Sequence, residues 1–341
     1  MRHSPLRIGV IGYGYWGPNL VRNFHARLDA EVAAVADVDE QKLAQVHLHY
    51  PSIQCVSDAI SILHDPRIDA VAIATPPSTH FALARKALEI GKHVLVEKPM
   101  AMTSIEAQAL IGLARARKRI LMVGHTFIYT SSVQKIRSLI ENGELGDLYY
   151  IDSVRFNLGL LQGDASVLWD LAPHDLSIFL YLVDERPTAV QAFGQVHIGA
   201  EKKEIATVTI RYESGFHAHI HVSWISPVKI RLTLIGGSRK MIVYDDVEPT
   251  EKVRIYDKGV SLKESGESVT AFNPIYRAGD VLIPALDRRE ALEREISHFL
   301  NCIQMGVTPL SDGESGLAVI RILEAAEMSM AQNGAFVPLS R

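Results

Sequence analysis

The sequence predicts a two-domain chain: an α/β domain over residues 1–125 and an α+β domain with a mostly antiparallel open sheet over residues 126–341. Three observations carry this. Short aliphatic runs alternate with segments of helical spacing from Arg7 to Gly124, as in a parallel sheet buried on both faces. After Gly146 the runs lengthen, alternate in polarity and are separated by turns such as Glu213-Ser214-Gly215 and Gly236-Gly237-Ser238, as in antiparallel hairpins. Finally, 341 residues with 48% hydrophobic and 22% charged content suffice for two ordinary cores.

The first element is a strand over residues 7–12, followed by the loop Gly12-Tyr13-Gly14-Tyr15-Trp16-Gly17. Pro18 suits the first turn of a helix, because its missing N–H costs nothing there, and Leu20, Val21 and Phe24 continue at helical spacing. A second strand, 31–36, closes on Asp37, twenty positions beyond Gly17. Strand, glycine loop, helix, strand and acid together predict a Rossmann dinucleotide site. Gly12 permits the tight turn, Gly14 lets the backbone approach the pyrophosphate, and Gly17 lets helix and strand pack closely; Tyr13, Tyr15 and Trp16 belong to the same cofactor loop. Asp37 would take the adenosine ribose hydroxyls and repel a 2′-phosphate, and Val38 and Asp39 offer no arginine to bind one, so NAD is expected over NADP.

Helices over 39–50 and 57–63 follow, then a buried strand over 70–74 that ends in Thr75-Pro76, two further cofactor candidates. His80 falls in the first turn of the next helix, either beside the cofactor or as a surface helix histidine. The run His93-Val94-Leu95-Val96 reads as the next buried strand, ending in Glu97-Lys98-Pro99. Ligands of open α/β sheets bind beyond the carboxyl ends of the strands, which puts Glu97 and Lys98 where cofactor and substrate meet. Thr103 and Glu106 form a capping box, and the strand 120–124 leads to His125.

One more helix, 131–142, precedes strands expected at 149–156, 189–198, 205–212, 216–225, 230–235 and 240–244, and two helices, 285–305 and 314–331, close the chain. Between the first two of these strands lies Trp169-Asp170-Leu171-Ala172-Pro173-His174-Asp175. If the helix runs through Pro173, Asp170 and His174 share a face and could orient a proton-transfer group, or could form an N-terminal cap with its neighbour. His217, His219 and His221 alternate along one strand and so share a face, but no carboxylate or cysteine stands in ligand register beside them, and no metal is expected.

The formal net charge of −4 without a basic block excludes duplex nucleic acid and anionic membranes as expected partners. Cys55 and Cys302 have neither disulfide-framework density nor metal spacing, glycines interrupt the first apolar run, and no run reaches membrane-spanning length. A cytoplasmic location is expected.

The glycine fingerprint, Asp37, Thr75-Pro76, Glu97-Lys98-Pro99, Asp170-x-x-x-His174 and the helix start Ser311-Asp312-Gly313-Glu314-Ser315-Gly316 together resemble the glucose–fructose oxidoreductase, inositol dehydrogenase and rhizopine catabolism family, Gfo/Idh/MocA, through almost the whole chain. The resemblance implies a nicotinamide cofactor between a Rossmann domain and a sheet domain that also builds homodimers or homotetramers. It makes Lys98 the catalytic lysine, His174 the catalytic histidine and Asp170 the carboxylate that holds the lysine.

Ala165-Ser166-Val167 and Ser177 depart from the glycines and the acid of the inositol and free-sugar enzymes, whereas 123–127 and 167–175 look more like members acting on nucleotide-linked sugars. The expected reaction is hydride exchange between nicotinamide and a sugar CH–OH, at C3 of a nucleotide-linked sugar. Expected substrate contacts are Lys98, His125, Tyr129, Arg155, Asn157, Asp170 and His174. Arg155 offers a fork for phosphate, or else pairs across the sheet. The alternatives are an NAD-dependent glycosidase of the same fold and a non-catalytic NAD-binding regulator.

Overall fold

The computed structural model describes residues 4–159, 165–198, 202–262 and 274–339. Part of the expected substrate stretch between Arg155 and Asp170, residues 160–164, lies outside them. Strand and helix alternate first: β1 (Leu6–Ile11), α1 (Gly17–His25), β2 (Ala30–Ala36), α2 (Glu40–His49), β3 (Gln54–Val56), α3 (Ala59–His64), β4 (Ala70–Ile73), α4 (Pro77–Glu89), β5 (His93–Glu97), α5 (Ser104–Arg117) and β6 (Leu121–Gly124). After a 3₁₀ turn over Thr126–Tyr129 come α6 (Ser131–Glu141), β7 (Leu148–Leu158), α7 (Val167–Leu182), β8 (Pro187–Gln195), β9 (Ile205–Tyr212), β10 (His217–Ser223) and β11 (Ile225–Gly237). The chain continues with β12 (Met241–Asp245), β13 (Val253–Tyr256), β14 (Gly259–Leu262), β15 (Pro274–Arg277), β16 (Val281–Leu282), α8 (Ala291–Met305), α9 (Gly313–Ala331) and β17 (Val337–Pro338). Two compact units result: Met1–Thr130 with Arg289–Glu324, and Ser131–Arg288 with Ala325–Arg341.

In the first unit the described residues form a six-stranded sheet, ordered β3-β2-β1-β4-β5-β6, in which every pair is parallel. Its strands are written without alternation because both faces are covered: β4 is buried at each residue and β5 at its three central aliphatics. Chain order reverses between β1 and β4, which makes their carboxyl ends the switch point where such sheets take ligands. Asp39 caps α2 by accepting from Gln41 N (2.9 Å), Asp58 caps α3 through Ile60 N (2.9 Å), and Thr103 caps α5 through Glu106 N (3.2 Å).

Residues 289–324 fold with this unit, although they lie far beyond the expected boundary at 125/126. Helix α8 packs on α1 and on the 3₁₀ turn, with Arg22 forked onto Glu290 (2.8 and 2.9 Å) and Arg27 donating to Ser297 Oγ (2.7 Å). Glu290 is extended and its carboxylate is held by Arg22, so α8 starts at Ala291 and not at 285.

In the second unit the described residues form a nine-stranded sheet, ordered β16-β13-β12-β11-β7-β10-β9-β8-β17, with β14 and β15 paired separately. All its neighbours are antiparallel except β7 and β10. Alternate residues of β9 and β10 are buried, and α7 packs against β7, β9 and β10. His217, His219 and His221 occupy the alternate positions of β10. There His219 meets Thr209 Oγ1 (3.1 Å) and His221 stands edge-on to Phe156. Among the described residues no group of three His, Cys, Asp or Glu side chains is disposed to hold a metal ion, and no helix is long and apolar enough to cross a membrane.

Candidate active site

The glycine loop leaves β1 beside the end of β4. Gly12 has φ +96°, and a Cβ there would stand 2.5 Å from Ala74 O; one on Gly17 would collide with Gly12 O. Around Gly14, by contrast, a Cβ would meet nothing within 4 Å, which leaves the approach a pyrophosphate needs. Helix α1 begins there with no side-chain cap and no acid in its first turn, so its N–H groups are available to an anion. Asp37 does two things. Its Oδ2 accepts Tyr13 N (2.6 Å) and its Oδ1 accepts Asp39 N (2.9 Å), so it ties the end of β2 to the glycine loop where a ribose would lie. Lys42, one turn into α2 and not singled out from the sequence, reaches within 3.7 Å of it. These features fit a dinucleotide. Tyr15 is exposed, and the indole N–H of Trp16 is buried beside the Glu97 carboxyl without closing a full hydrogen bond.

Polar groups gather beyond the carboxyl ends of β5 and β6. Glu97 lies against Gly124, whose added Cβ would stand 3.0 Å from the carboxyl atoms. Burial pushes Glu97 up to about 8, against the opposing pull of the Lys98 cation and the Trp16 indole. His125 is 2% exposed, and neither ring nitrogen has a hydrogen-bond partner among the described residues. Burial, then the Lys98 charge, holds it down to about 4, so the ring is neutral at physiological pH. From α8 comes Glu295, also unflagged by the sequence, 1% exposed and accepting from Thr126 Oγ1 (2.7 Å). Buried polar atoms are nearly always satisfied, so unfilled groups converging at a strand end mark a ligand site.

Two expected ligand contacts have their polar atoms engaged within the fold. His80 is 1% exposed, with Nδ1 2.8 Å from Pro99 O and Nε2 2.8 Å from Thr75 O. It clasps the turns that follow β4 and β5 and presents neither nitrogen to a cofactor, and Thr75 Oγ1 is likewise engaged by Thr79 Oγ1 (2.6 Å). Tyr129 is buried, its hydroxyl 2.9 Å from Ser311 Oγ, which in turn donates to Val123 O (2.7 Å). These hydrogen bonds tie β6 to the segment before α9.

The second unit carries the other candidates. Helix α7 runs through Pro173, so Asp170 and His174 do share one face. Asp170 Oδ2 accepts the indole N–H of Trp224 (3.0 Å), a residue the sequence reading passed over. Trp224 O accepts Gly159 N (2.9 Å), and the buried Oδ1 of the neighbouring Asn157 has no partner among the described residues. Arg155 turns its fork toward Asp175. It is 5% exposed, with Nε 2.6 Å and Nη2 3.1 Å from the Asp175 carboxylate, inside the packing of α7 on β7.

Comparison with known proteins agrees with this geometry. Residues 6–125 match the oxidoreductase family, NAD-binding Rossmann fold, and residues 133–242 match the GFO/IDH/MocA C-terminal domain. The chain is 30% identical to UDP-N-acetylglucosamine 3-dehydrogenase of Acidithiobacillus ferrooxidans, over 92% of this chain and 94% of that one. It is 31% identical to the uncharacterized oxidoreductase YdgJ of Escherichia coli over 72% of this chain and 73% of the other. The solved structure of the Acidithiobacillus enzyme superposes with TM-score 0.80 at 27% identity, covering 97% of this chain and 99% of that one.

Proposed function

Because the chain belongs to the Gfo/Idh/MocA oxidoreductase family, we propose that it uses NAD to interconvert a CH–OH group and a ketone at C3 of a nucleotide-linked sugar. The observation that carries the reading is the set of unfilled polar groups, His125 foremost, that surrounds Glu97 and Lys98 beyond β5 and β6 next to a dinucleotide loop. NAD supplies the acceptor for the hydrogen lost from carbon. Lys98 takes the hydroxyl proton, His174 binds or relays it, and Asp170, steadied by Trp224, supplies the fixed negative charge. His125, neutral and unpartnered, offers a donor and an acceptor to the sugar, and Asn157 a further acceptor. Asp37 supports NAD over NADP, since a 2′-phosphate would meet its carboxylate, with Lys42 offsetting part of that repulsion.

The substrate class rests on the relative named for UDP-N-acetylglucosamine, and a nucleotide remote from the reacting carbon supplies binding energy for positioning C3. A cytoplasmic location and a homodimer or homotetramer through the second unit's sheet belong to the same proposal; alternate β9 and β10 residues on one sheet face are not buried. A panel of UDP- and dTDP-linked sugars, free sugars and inositols, read by nicotinamide absorbance, tests it. Higher kcat/KM for nucleotide sugars supports the reading. Equal turnover of inositol removes the substrate claim, and product release without net nicotinamide reduction favours the glycosidase alternative.

A further inference from the structure

The first unit carries a groove of about 520 Å³ that the reaction leaves unused. It opens where β5 and β6 begin, whereas the glycine loop and Glu97 lie where the strands of the same parallel sheet end. Leu121 and Gly124, the two ends of β6, are about 10 Å apart at the usual rise per residue. Ile111, Ala114, Leu121, Ile303, Val307 and Pro309 give the groove an apolar floor. Left-handed residues end both helices that border it, Gly306 (φ 67°) for α8 and Lys118 (φ 51°) for α5. Gly313 lets the start of α9 lie against the floor, because a Cβ there would stand 2.7 Å from Ile111 Cγ1 and 3.2 Å from Leu121 Cδ2. The size is that of a small-molecule site.

The acids that line the groove are engaged. Glu314 pairs with Arg115 (2.6 Å), and Asp312 Oδ1 accepts Ser315 N (2.9 Å) in the first turn of α9. Lys118 and Arg119 are not balanced in this way. Arg119 donates Nε to Gly91 O, and no carboxylate pairs with its terminal nitrogens among the described residues. Lys118 has no ion-pair partner among them either. His93, also in the lining, adds a neutral donor. Its Nδ1 accepts Ile120 N (2.9 Å), and burial, then the Arg119 charge, holds the ring down to about 4, so its one proton lies on Nε2. Lys118 is held against a backbone preference, since a left-handed helix end ordinarily takes glycine or asparagine. Those residues would serve the turn better, so what Lys118 adds there is its ammonium group.

We propose that this groove is a second ligand site, which takes a phosphate monoester with a ring-bearing body laid on the apolar floor. A monoester carries nearly two negative charges at neutral pH, the number that Lys118 and Arg119 balance. The terminal nitrogens of Arg119 and the Nε2–H of His93 give its oxygens directed donors, and Lys118 adds a point charge. Inorganic phosphate would satisfy those groups and leave the floor wet, and a neutral ring would do the reverse. The groove therefore selects a molecule that carries both. Nucleotides and sugar phosphates share this chemistry. The site does not depend on the oxidoreductase reading, because none of its lining residues belongs to the glycine loop or to the groups around Lys98.

Calorimetric titration of the full chain, with and without NAD, tests the site with phenyl phosphate, inorganic phosphate and benzoate as probes. One equivalent of phenyl phosphate should bind, about tenfold tighter than inorganic phosphate because its ring leaves water. Benzoate, a single charge on the same ring, should bind more weakly than phenyl phosphate. Lys118→Asn suits the left-handed turn and keeps the fold, and it should weaken phenyl phosphate about fivefold, the scale of one partly exposed charge. Arg119→Gln should weaken it at least as much. Unchanged affinity in both variants overturns the site, as does the absence of binding up to about 10 mM. Benzoate bound as tightly as phenyl phosphate overturns the phosphate assignment, and displacement of phenyl phosphate by NAD assigns the binding to the glycine loop and overturns the second site. Uridine monophosphate against a hexose phosphate then distinguishes the sources: tighter binding of either supports the site and names the body it takes.

Discussion

Asp175→Asn should cost the second unit a large part of its stability while leaving NAD binding intact. Asp175 Oδ2 accepts from Arg155 Nε at 2.6 Å, and Oδ1 accepts from Arg155 Nη2 at 3.1 Å and from Ser153 Oγ at 2.7 Å. Their side chains are 6% and 2% exposed, so water screens the pair very little. Desolvating both ions offsets much of their mutual attraction, and the intact pair gains little over a hydrophobic one. Removing one charge is different: it strands a guanidinium in the core, at about 3–5 kcal/mol. For a unit of this size each kcal/mol moves the melting temperature by about 2–4 °C, so a fall of about 6–20 °C is expected. Calorimetry gives the transition, and fluorescence titration gives the NAD affinity. Arg155→Met combined with Asp175→Leu should recover most of the loss, because no charge is left unpaired. If Asp175→Asn melted within about 2 °C of the parent while Arg155→Met selectively lost nucleotide-sugar turnover, the fork would serve a ligand and the scaffold assignment would fail.

The other predictions concern the first unit and its partner residues. The parent should prefer NAD over NADP at least tenfold, about 1.4 kcal/mol, and Asp37→Ser should narrow that gap by weakening NAD and exposing Lys42 to a 2′-phosphate; equal parent affinities in titration would refute the role of Asp37. Lys98→Met and His174→Ala should keep NAD affinity and lower turnover by roughly two orders of magnitude or more, and near-normal kcat in either assigns that residue to structure. Glu97 has a folded-state value of about 8 against an ordinary 4.5, so the folded protein binds the extra proton between these values. The stability linked to it is full below about pH 4.5 and lost as pH rises through about 8. Melting curves at pH 5, 7 and 9 should therefore show a smaller decline for Glu97→Gln than for the parent. Dialysis against a chelator should leave activity unchanged, and restoration of lost activity by a divalent metal would reassign the three-histidine face of β10.

What could be read from the chain was whatever local chemistry determines. The glycine loop is legible because Gly12 and Gly17 answer steric demands set within a few residues, and β4 and β5 are legible because strands buried on both faces need uninterrupted aliphatics. Asp170 and His174 could be paired from helical spacing alone. Helix α8 folds with the first unit and begins at Ala291 rather than at 285, because its surroundings are set by Arg22 and Arg27 on α1, far away in sequence. The parallel pairing of β7 with β10 was equally hidden, since polarity patterns give faces and not neighbours.

The same limit explains which polar residues changed role. His80, Tyr129 and Arg155 carry side chains as suited to ligands as those of His125 and Asn157, and nothing in their immediate sequence separates the two groups. They differ in where their hydrogen-bonding capacity goes. His80 spends both nitrogens on Thr75 and Pro99 carbonyls, Tyr129 engages Ser311, and Arg155 embraces Asp175, each partner brought by the fold from 5 to 182 positions away. His125 has no such partner for either nitrogen, and Asn157 none for Oδ1, among the described residues. A buried polar atom left unfilled costs on the order of 1–3 kcal/mol, a cost a stable scaffold tolerates where a ligand repays it. Glu295 extends this logic to a residue that no motif marks: Oε2 is held by Thr126, and Oε1 is buried without a hydrogen-bond partner among the described residues.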